Sequence, residues 1–399
     1  MTVDIDRVSR ELETLAGFSD APAPAVTRVV YSETDRRARA WVRGLCEEAG
    51  LAVREDAIGN LFARWKGSEP GLPAVATGSH IDAIPHAGRY DGTVGVLGGL
   101  EAIRALMRAG RRPRRSIELV VFCAEEPTRF GIGCFGSRML AGLLYGPELR
   151  DREGKTLRDW VGDYSGMRLP VGCYSAFVEL HIEQGPLLER AGTPLGVVTA
   201  IAAPATWHLF IEGEGGHAGA VLMPDRRDAF CAAAEVALAV ERAARSSGSM
   251  DTVGTIGVCD IFPGAVNSVP SRVRMEMDVR DIDGARRDRV LAQIEAACAE
   301  IATRRCVTIR KEVINADPPA TCDAGVIAAL ERSAGAMPYQ KMVSRAYHDS
   351  LFMARIAPTG MLFIPCRGGV SHRPDEYAAP EAIAAGVAAL AGALAELAG

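Results

Sequence analysis

The sequence predicts an α/β protein in which a mixed sheet is flanked by helices and a smaller α/β sandwich is inserted. Strand and helix patterns alternate in the first half of the chain, four strands and two helices follow, and the first pattern returns after Pro318-Pro319. A length of 399 residues is sufficient for two domains. We therefore predict one domain from 1–202 and 315–399, and an inserted domain at 203–314.

The outer segments contain the alternating pattern that favours a helix-covered sheet. Ser32 is a candidate N-cap for the second helix, and Gly59-Asn60 marks a hairpin turn. The predicted elements are helices at 4–17, 32–50, 92–109 and 136–144 and from 323 and 380, a hairpin at 51–65, and strands at 73–77, 116–123 and 361–365.

The middle of the chain predicts a sheet with helices on one face. A strand at 195–203 precedes it. The predicted strands are 206–212, 252–260, 272–278 and 307–313, and the predicted helices are 225–245 and 283–303.

Composition excludes several classes of function. The net charge of −5 argues against nucleic acid or an anionic membrane as the main partner. We expect no membrane span, because no uninterrupted apolar run of about 18 residues is present. Residues 1–18 lack the apolar run of a signal peptide, and the ten cysteines form no C-x-x-C pair. These features favour a cytoplasmic enzyme with reduced thiols.

Imidazoles and carboxylates follow several strand-like runs. Ligands in open α/β sheets bind beyond the carboxyl ends of the strands, so we expect these side chains to converge. A pair of divalent metals needs such a set and one spare carboxylate as a base. The candidates are His80, Asp82, Asp91, Glu125, Glu126, His181 and His372.

Each candidate also has a simpler interpretation. His80 and Asp82 could form a hydrogen-bonded pair, and Glu125-Glu126 could lie in a solvated loop. Asp91 could cap the helix that follows it, and His181 could be a satisfied polar group at a strand end. The shared placement of the whole set makes the metal site the better explanation.

Longer motifs surround these residues. They are Gly78-Ser79-His80-Ile81-Asp82, Gly88-Arg89-Tyr90-Asp91-Gly92, Glu125-Glu126 followed by Arg129-Phe130-Gly131, Gly136-Ser137-Arg138, His181-Ile182-Glu183-Gln184-Gly185 and Gly216-His217-Ala218-Gly219. From about residue 30 onward the chain resembles the hydantoinase/carbamoylase branch of the dinuclear metallo-amidohydrolases, which are relatives of the zinc aminoacylases and carboxypeptidases. The resemblance implies a metallopeptidase-like catalytic domain and an inserted domain that serves as lid and dimerisation module.

The resemblance also implies roles for the metal-site residues. His80 and His372 would hold opposite metals, completed by His181 and Glu126, and Asp91 would bridge them. A cis peptide bond would follow Asp91. Asp82 would orient His80 without binding metal, and Glu125 would be the base for the attacking water. The two metals would be divalent, with Mn²⁺ favoured over Zn²⁺, Co²⁺ or Ni²⁺.

Further family matches imply substrate contacts. Arg280 would bind a carboxylate and His217 would stabilise an oxyanion, although Arg280 could equally form a salt bridge with Asp278 or Asp281. The remaining implied contacts are Gln184, Asn267, Tyr347 and His348.

Three stretches, 126–132, 220–224 and 344–355, resemble the ureidoglycolate amidohydrolases of purine-ring catabolism more narrowly. We expect this chain to differ from the plant enzymes in lacking their extended leader. The implied reaction is hydrolysis of a small ureido acid by a homodimer. The alternatives are an N-carbamoyl-L-amino acid hydrolase, an allantoate amidohydrolase, a peptidase, or a non-catalytic binding protein with the same fold.

Overall fold

The structure is a computed structural model that describes residues 2–144, 149–164 and 167–399. The chain divides into two units. The first contains the residues up to Ala200 together with Thr321–Gly399, and the second contains Ile201–Ala320. The segment predicted as the inserted domain, 203–314, lies within the second unit.

The described residues form eleven α-helices and seventeen β-strands. The helices are α1 Ile5–Ala16, α2 Glu33–Glu48, α3 Thr93–Arg108, α4 Phe135–Ala141, α5 Leu157–Val161, α6 Leu187–Ala191, α7 Ala229–Arg245, α8 Gly284–Arg305, α9 Ala324–Ala334, α10 Asp349–Met353 and α11 Pro380–Leu397. The strands are β1 Val26–Arg28, β2 Ala52–Glu55, β3 Leu61–Trp65, β4 Ala74–His80, β5 Ala83–Ala87, β6 Ile117–Phe122, β7 Tyr174–Ile182, β8 Leu195–Ile201, β9 Ala203–Glu212, β10 Gly216–His217, β11 Val253–Phe262, β12 Ser268–Val269, β13 Arg272–Asp281, β14 Thr308–Ala316, β15 Ala320–Thr321, β16 Tyr339–Ser344 and β17 Thr359–Ile364.

A nine-stranded mixed sheet forms the centre of the first unit. Its order is β15-β8-β17-β7-β4-β6-β3-β2, and β16 pairs with β8. Strands β17, β7, β4 and β6 are parallel to their neighbours within this group, whereas β8, β3 and β2 pair in antiparallel fashion. The mixed sheet predicted from the sequence is confirmed.

The parallel strands are apolar because helices cover the sheet. All residues of β4, β6 and β17 are buried, which is typical of parallel strands in α/β proteins. Helix α3 packs on β4, and α11 packs on both α3 and α9. The carboxyl ends of four neighbouring strands are thereby fixed along one edge.

Helix α11 is rich in apolar residues. By length and composition alone it is apolar enough to cross a membrane, with a mean hydropathy of 1.4, and half of that stretch is buried inside the protein. The described residues contain one such helix. Its apolar character is explained by its packing against α3, α9 and β17.

Side-chain caps set several helix boundaries. The Ser32 hydroxyl accepts a hydrogen bond from the Asp35 amide, which confirms the predicted N-cap of α2. Helix α7 was predicted from residue 225, which is wrong. The Asp228 carboxylate accepts from the Phe230 and Cys231 amides and starts the helix there, after a 3₁₀ turn at Met223–Asp225.

The second unit contains a four-stranded antiparallel sheet of order β11-β13-β9-β14. Helices α7 and α8 pack against each other and against this sheet. Alternate residues of β9 and β13, such as Trp207 and Met275, point into their shared core. The four strands and two helices predicted for the middle of the chain are therefore present.

Close packing between β4 and β6 predicts different effects for two glycine substitutions. A Cβ at Gly78 would lie 1.9 Å from the Val120 carbonyl oxygen, whereas a Cβ at Gly44 in α2 meets nothing within 4 Å. We expect Gly78→Ala to lower the free energy of unfolding by about 3 kcal/mol or more. The matched control, Gly44→Ala, should raise it by about 0.5–1 kcal/mol. Urea denaturation followed by circular dichroism measures both, and equal midpoints for the two variants would contradict the packing described here.

Candidate metal centre

The candidate metal ligands meet at the carboxyl edge of the parallel strands. His80 ends β4, His181 is the penultimate residue of β7, and Glu125 and Glu126 follow the end of β6. Because β4 lies between β7 and β6, His80 stands between the other two groups. This is the edge of an α/β sheet where ligands bind.

Unusual backbone conformations accompany these residues. Ala124, Gln184 and His372 have φ angles of 54°, 55° and 58°. Residues other than glycine rarely adopt this left-handed backbone conformation, and such backbone strain concentrates at functional sites.

Asp91 connects two groups of ligands. Its Oδ1 lies 3.1 Å from His181 Nε2 and 3.6 Å from His80 Nε2, and its Oδ2 lies 3.2 Å from His372 Nε2. His372 Nε2 is in turn 3.3 Å from Glu126 Oε1. Asp91 therefore belongs to two sets of side chains that can hold a cation, and contributes one oxygen to each. The sets are His80-Asp91-His181 and Asp91-Glu126-His372.

Two backbone carbonyls orient the buried imidazoles. His80 Nδ1 lies 3.1 Å from the Asp82 carbonyl oxygen, and His181 Nδ1 lies 2.9 Å from that of Ile182. A carbonyl accepts only from a protonated nitrogen, so Nδ1 of both rings carries a proton. In the neutral form of each ring, the Nε2 that faces Asp91 then carries a lone pair. This is the tautomer that a metal ligand requires.

Asp82 holds the chain that carries the two glutamates. Its Oδ1 accepts from the Glu125 amide at 3.2 Å and its Oδ2 from the Glu126 amide at 3.0 Å. Its Oδ1 is also 3.6 Å from His80 Nδ1. Asp82 therefore links β4 to the loop after β6, as a supporting residue would.

The two adjacent glutamates have different neighbours. Glu126 faces His372, whereas Glu125 Oε2 lies 3.7 Å from His80 Nε2 and belongs to neither of the two cation-holding sets. Glu125 Oε1 accepts a hydrogen bond from the Cys134 thiol at 3.3 Å. One carboxylate is thus available for a role other than ligation.

The electrostatics of the cluster favour a positive charge at its centre. Burial raises the pKa of Glu125 well above its ordinary value and, together with Asp91, raises the pKa of Glu126 to about 7. Burial acts in the same direction on Asp91, but hydrogen bonds with His181, His372 and His80 hold its pKa well below the ordinary value. The hydrogen bond with Asp91 raises the pKa of His372 to about 9.

The donor set fits two divalent cations. Imidazole nitrogens and carboxylate oxygens, without thiolate, suit Mn²⁺, Zn²⁺, Co²⁺ or Ni²⁺. Buried carboxylates without a cation carry a large desolvation cost, which bound cations would offset.

The backbone after Asp91 differs from the expectation. The Asp91–Gly92 bond is not cis; among the described residues the cis bonds are Ala23–Pro24 and Phe262–Pro263. The Gly92 amide donates to His181 Nε2 at 3.1 Å, so a cation at this nitrogen would replace that hydrogen bond.

Sequence reasoning missed the residues that support Asp91. Glu376 is buried and accepts from the amides of Tyr90 and Asp91 at 2.7 and 3.1 Å. The Ser371 hydroxyl lies 2.7 Å from Asp91 Oδ2 and 2.9 Å from Glu376 Oε2. The only sequence signal was their proximity to His372.

Gln184 and His348 also lie near the ligands. Gln184 Nε2 donates to Asp91 Oδ2 at 2.6 Å, while its buried Oε1 has no hydrogen-bond partner among the described residues. The His348 ring packs edge-on against His181, with centroids 4.6 Å apart, and its Nε2 lies 3.0 Å from Ser344 Oγ.

Tyr347 contacts the loop that carries the glutamates. Its hydroxyl is hydrogen-bonded to Arg138, whose Nε donates to the Gly133 carbonyl at 2.9 Å. The Tyr347 ring packs edge-on against Phe352. The phenol is therefore held by a guanidinium that also binds the loop after β6.

Three predicted substrate contacts belong to the second unit. His217 and Asn267 are exposed on neighbouring segments, because β10 pairs with β12 and the Ala218 amide donates to the Asn267 carbonyl at 2.9 Å. Arg280, at the end of β13, donates to both oxygens of Asp278 at 2.7 and 3.3 Å. The alternative salt bridge considered for Arg280 is therefore present.

A family model for the peptidase family M20/M25/M40 matches residues 76–396. The chain belongs to this family. It is a family of metal-dependent hydrolases, in agreement with the two sets of cation ligands found around Asp91.

Individual relatives agree over the whole chain. The ureidoglycolate hydrolase of Oryza sativa subsp. japonica is 53% identical over 99% of this chain and 85% of its own length. The crystal structures of AtUAH in complex with glyoxylate and with (S)-hydroxyglycine have a TM-score of 0.92 at 50% identity, over 100% of this chain and 98% of that chain. A hydantoinase/carbamoylase family amidase from Burkholderia multivorans has a TM-score of 0.89 at 34% identity, with the same coverage. The predicted fold class and family resemblance are confirmed.

Because Glu125 and Glu126 have different surroundings, we predict that substituting Glu125 lowers turnover and that substituting Glu126 lowers metal affinity. Glu125→Gln should keep nearly normal metal content and lose about 10²–10⁴-fold in kcat, because it removes a proton acceptor without changing shape. Glu126→Gln should weaken metal binding itself by about 10-fold or more. Metal content after dialysis against a chelator and ammonia release measure the two effects. Retention of both metal and activity in both variants would overturn these assignments.

Proposed function

We propose that this protein hydrolyses the ureido C–N bond of (S)-ureidoglycolate in allantoin and purine degradation. The observation that carries the proposal is Glu125, a buried carboxylate that lies beside the cation ligands without joining either set. The full-length similarity to ureidoglycolate hydrolase and to AtUAH, which binds glyoxylate and (S)-hydroxyglycine, supports this choice of substrate.

The reaction needs a water nucleophile, a base and an acid. Divalent cations held around Asp91 would lower the pKa of water and polarise the ureido carbonyl. Glu125 accepts the proton as water adds to the carbonyl carbon and then gives it to the terminal nitrogen as the C–N bond breaks. Ammonia leaves, the carbamate loses carbon dioxide, and the remaining hydroxyglycine decays to glyoxylate and a second ammonia.

Side chains near the cation ligands have groups suited to orienting a ureido acid. Gln184 Oε1 has no hydrogen-bond partner in the part of the chain that the structure describes, so it can accept from a ureido N–H, and the bond from Gln184 Nε2 to Asp91 fixes its position. His348 packs on His181, and Tyr347 is held beside the Glu125 loop. We assign recognition of the group on the α-carbon to Tyr347 or His348.

The second unit supplies further contacts in this proposal. His217 would stabilise the oxyanion, and Asn267 and Arg280 would bind the α-carboxylate. The Arg280 guanidinium already binds the Asp278 carboxylate through two nitrogens, which is the geometry that a substrate carboxylate requires. These assignments are supported by the motif matches.

We further propose two Mn²⁺ ions per chain, a homodimer and a cytoplasmic location. The nitrogen and oxygen donors are compatible with Mn²⁺. All ten cysteines are free, which suits a reducing compartment. The intact ligand set with a spare base argues against a non-catalytic binding protein.

Substrate choice is tested by ammonia release from (S)-ureidoglycolate, N-carbamoylglycine, allantoate and a bulky N-carbamoyl-L-amino acid in the presence of Mn²⁺. A site that bonds a substrate hydroxyl rejects an analogue without it by about 10⁴-fold, so ureidoglycolate should exceed N-carbamoylglycine by that order. Tyr347→Gly should shift the preference toward larger ureido acids, and Tyr347→Phe is the control that removes only the hydroxyl. Equal or faster turnover of the bulky N-carbamoyl amino acid by the unmodified protein would favour the carbamoylase alternative.

The proposed dimer predicts a complementation result. If His217 acts in the partner's active site, mixed dimers of His217→Ala and Glu125→Gln chains contain one site with both residues intact. Their activity should recover to about half of the unmodified value per mixed dimer, because one of two sites is restored. Each variant mixed with itself is the control. Purified mixed dimers without activity would show that each chain supplies its own His217.

A further inference from the structure

We propose that Cys134 is a positioning residue for Glu125. Its thiol donates a hydrogen bond to Glu125 Oε1 and so holds the carboxylate with Oε2 toward His80. This inference rests on the proposed role of Glu125 as the base of the reaction.

The two oxygens of Glu125 have separate neighbours. Oε1 lies 3.3 Å from Cys134 Sγ, and Oε2 lies 3.7 Å from His80 Nε2. Both residues are buried, and Cys134 is completely excluded from solvent. A carboxylate fixed at one oxygen can present the other to a reacting water in a single orientation.

The backbone places Cys134 directly opposite Glu125. The amides of Cys134, Phe135 and Gly136 donate to the carbonyls of Glu125, Ala124 and Cys123 at 2.7, 2.9 and 2.8 Å. These bonds close the loop between β6 and α4 at its base. The thiol and the carboxylate therefore belong to paired segments of one closed loop.

The conformation of Cys134 is itself held in place. Its φ of 53° lies in the left-handed region, which non-glycine residues adopt only when their surroundings enforce it. Its carbonyl accepts from Ser137 Oγ at 3.1 Å and from the Arg138 amide at 2.9 Å. Ser137 Oγ is also bound to Asp349 in α10 at 2.5 Å. The loop base is thereby anchored to a second element.

A thiol suits this task because it is a weak donor. A charged ammonium bound to the same oxygen would stabilise the carboxylate more strongly and reduce its ability to accept a proton. Burial and the charge of Glu125 raise the pKa of the Cys134 thiol well above its ordinary value, so the thiol keeps the proton that it donates.

The kinetic test compares Cys134→Ala with Cys134→Ser, using whichever ureido acid the unmodified protein hydrolyses. Removing the donor should lower kcat about 10-fold and change KM less than about twofold, because the base is misplaced while substrate binding persists. Cys134→Ser retains a donor and should restore kcat to within about threefold of the unmodified value. Metal content and thermal midpoint are measured in each variant, so that loss of cations or of folding is detected.

The matched control is Cys123→Ser. Cys123 is equally buried, but its thiol faces the Tyr31 hydroxyl at 3.5 Å rather than a carboxylate. It should leave kcat within about twofold of the unmodified value, since it touches no group used in the reaction. Two results would overturn the proposal and show that the cysteine only fills space in the core. One is an equal loss of kcat in Cys134→Ala and Cys134→Ser. The other is a loss of kcat in Cys123→Ser as large as in Cys134→Ala.

A spectroscopic test needs neither substrate nor turnover. The S–H stretching band of Cys134 is isolated by infrared difference between the unmodified protein and Cys134→Ser. A hydrogen bond to a carboxylate lowers this frequency, so the band should rise when the acceptor is removed by Glu125→Ala. An unchanged band would refute the contact. Failure of ureidoglycolate as a substrate would leave this test valid, so the two proposals can fail separately.

Discussion

The cost of burying Asp91 among other acids is the constraint on which the rest of the site depends. One oxygen of its buried carboxylate faces two imidazoles, and the other oxygen faces a third. Glu125 and Glu126 lie close by. Without compensating positive charge, so many buried carboxylates would be strongly unfavourable. The imidazoles offset part of this charge, and two divalent cations, one facing each oxygen of Asp91, would offset the rest.

The scaffold supplies the rigidity that such a cluster needs. Parallel strands deliver His80 and His181 at adjacent strand ends, and the Asp82 carboxylate fixes the backbone of both glutamates. Glu376 fixes the amide of Asp91 from the opposite side. Four of the five candidate ligands, His80, Asp91, Glu126 and His181, are thus held by groups outside the two candidate ligand sets, which is the arrangement found in precise metal sites.

Residues with a distinct sequence context could be predicted. The candidate ligands His80, Glu126 and His181 lie at or just beyond the ends of apolar strands, so their convergence follows from the rule that parallel strands end at one edge. Supporting residues such as Ser371, Glu376 and Cys134 could not be predicted, because an isolated serine, glutamate or cysteine in a loop has no characteristic spacing. Their roles depend on contacts between segments far apart in the chain.

The secondary structure was likewise predictable only where the sequence has a clear pattern. The buried parallel strands and the long helices have clear periodicity, whereas the five-residue helix α10, which bears Asp349, is too short for a periodic signal. The start of α7 was misplaced because the competing cap at Asp228 lies inside the apparent helical pattern. The trans bond after Asp91 shows that a family-level expectation about backbone geometry does not follow from the residues alone.

Anomalous diffraction from crystals grown with Mn²⁺ tests directly whether Asp91 bridges two cations. Two anomalous peaks about 3.5–4 Å apart should flank the Asp91 carboxylate, one beside His80 and His181 and the other beside Glu126 and His372. A single peak at full Mn²⁺ saturation, or two peaks that do not share Asp91, would contradict a bridging role for Asp91.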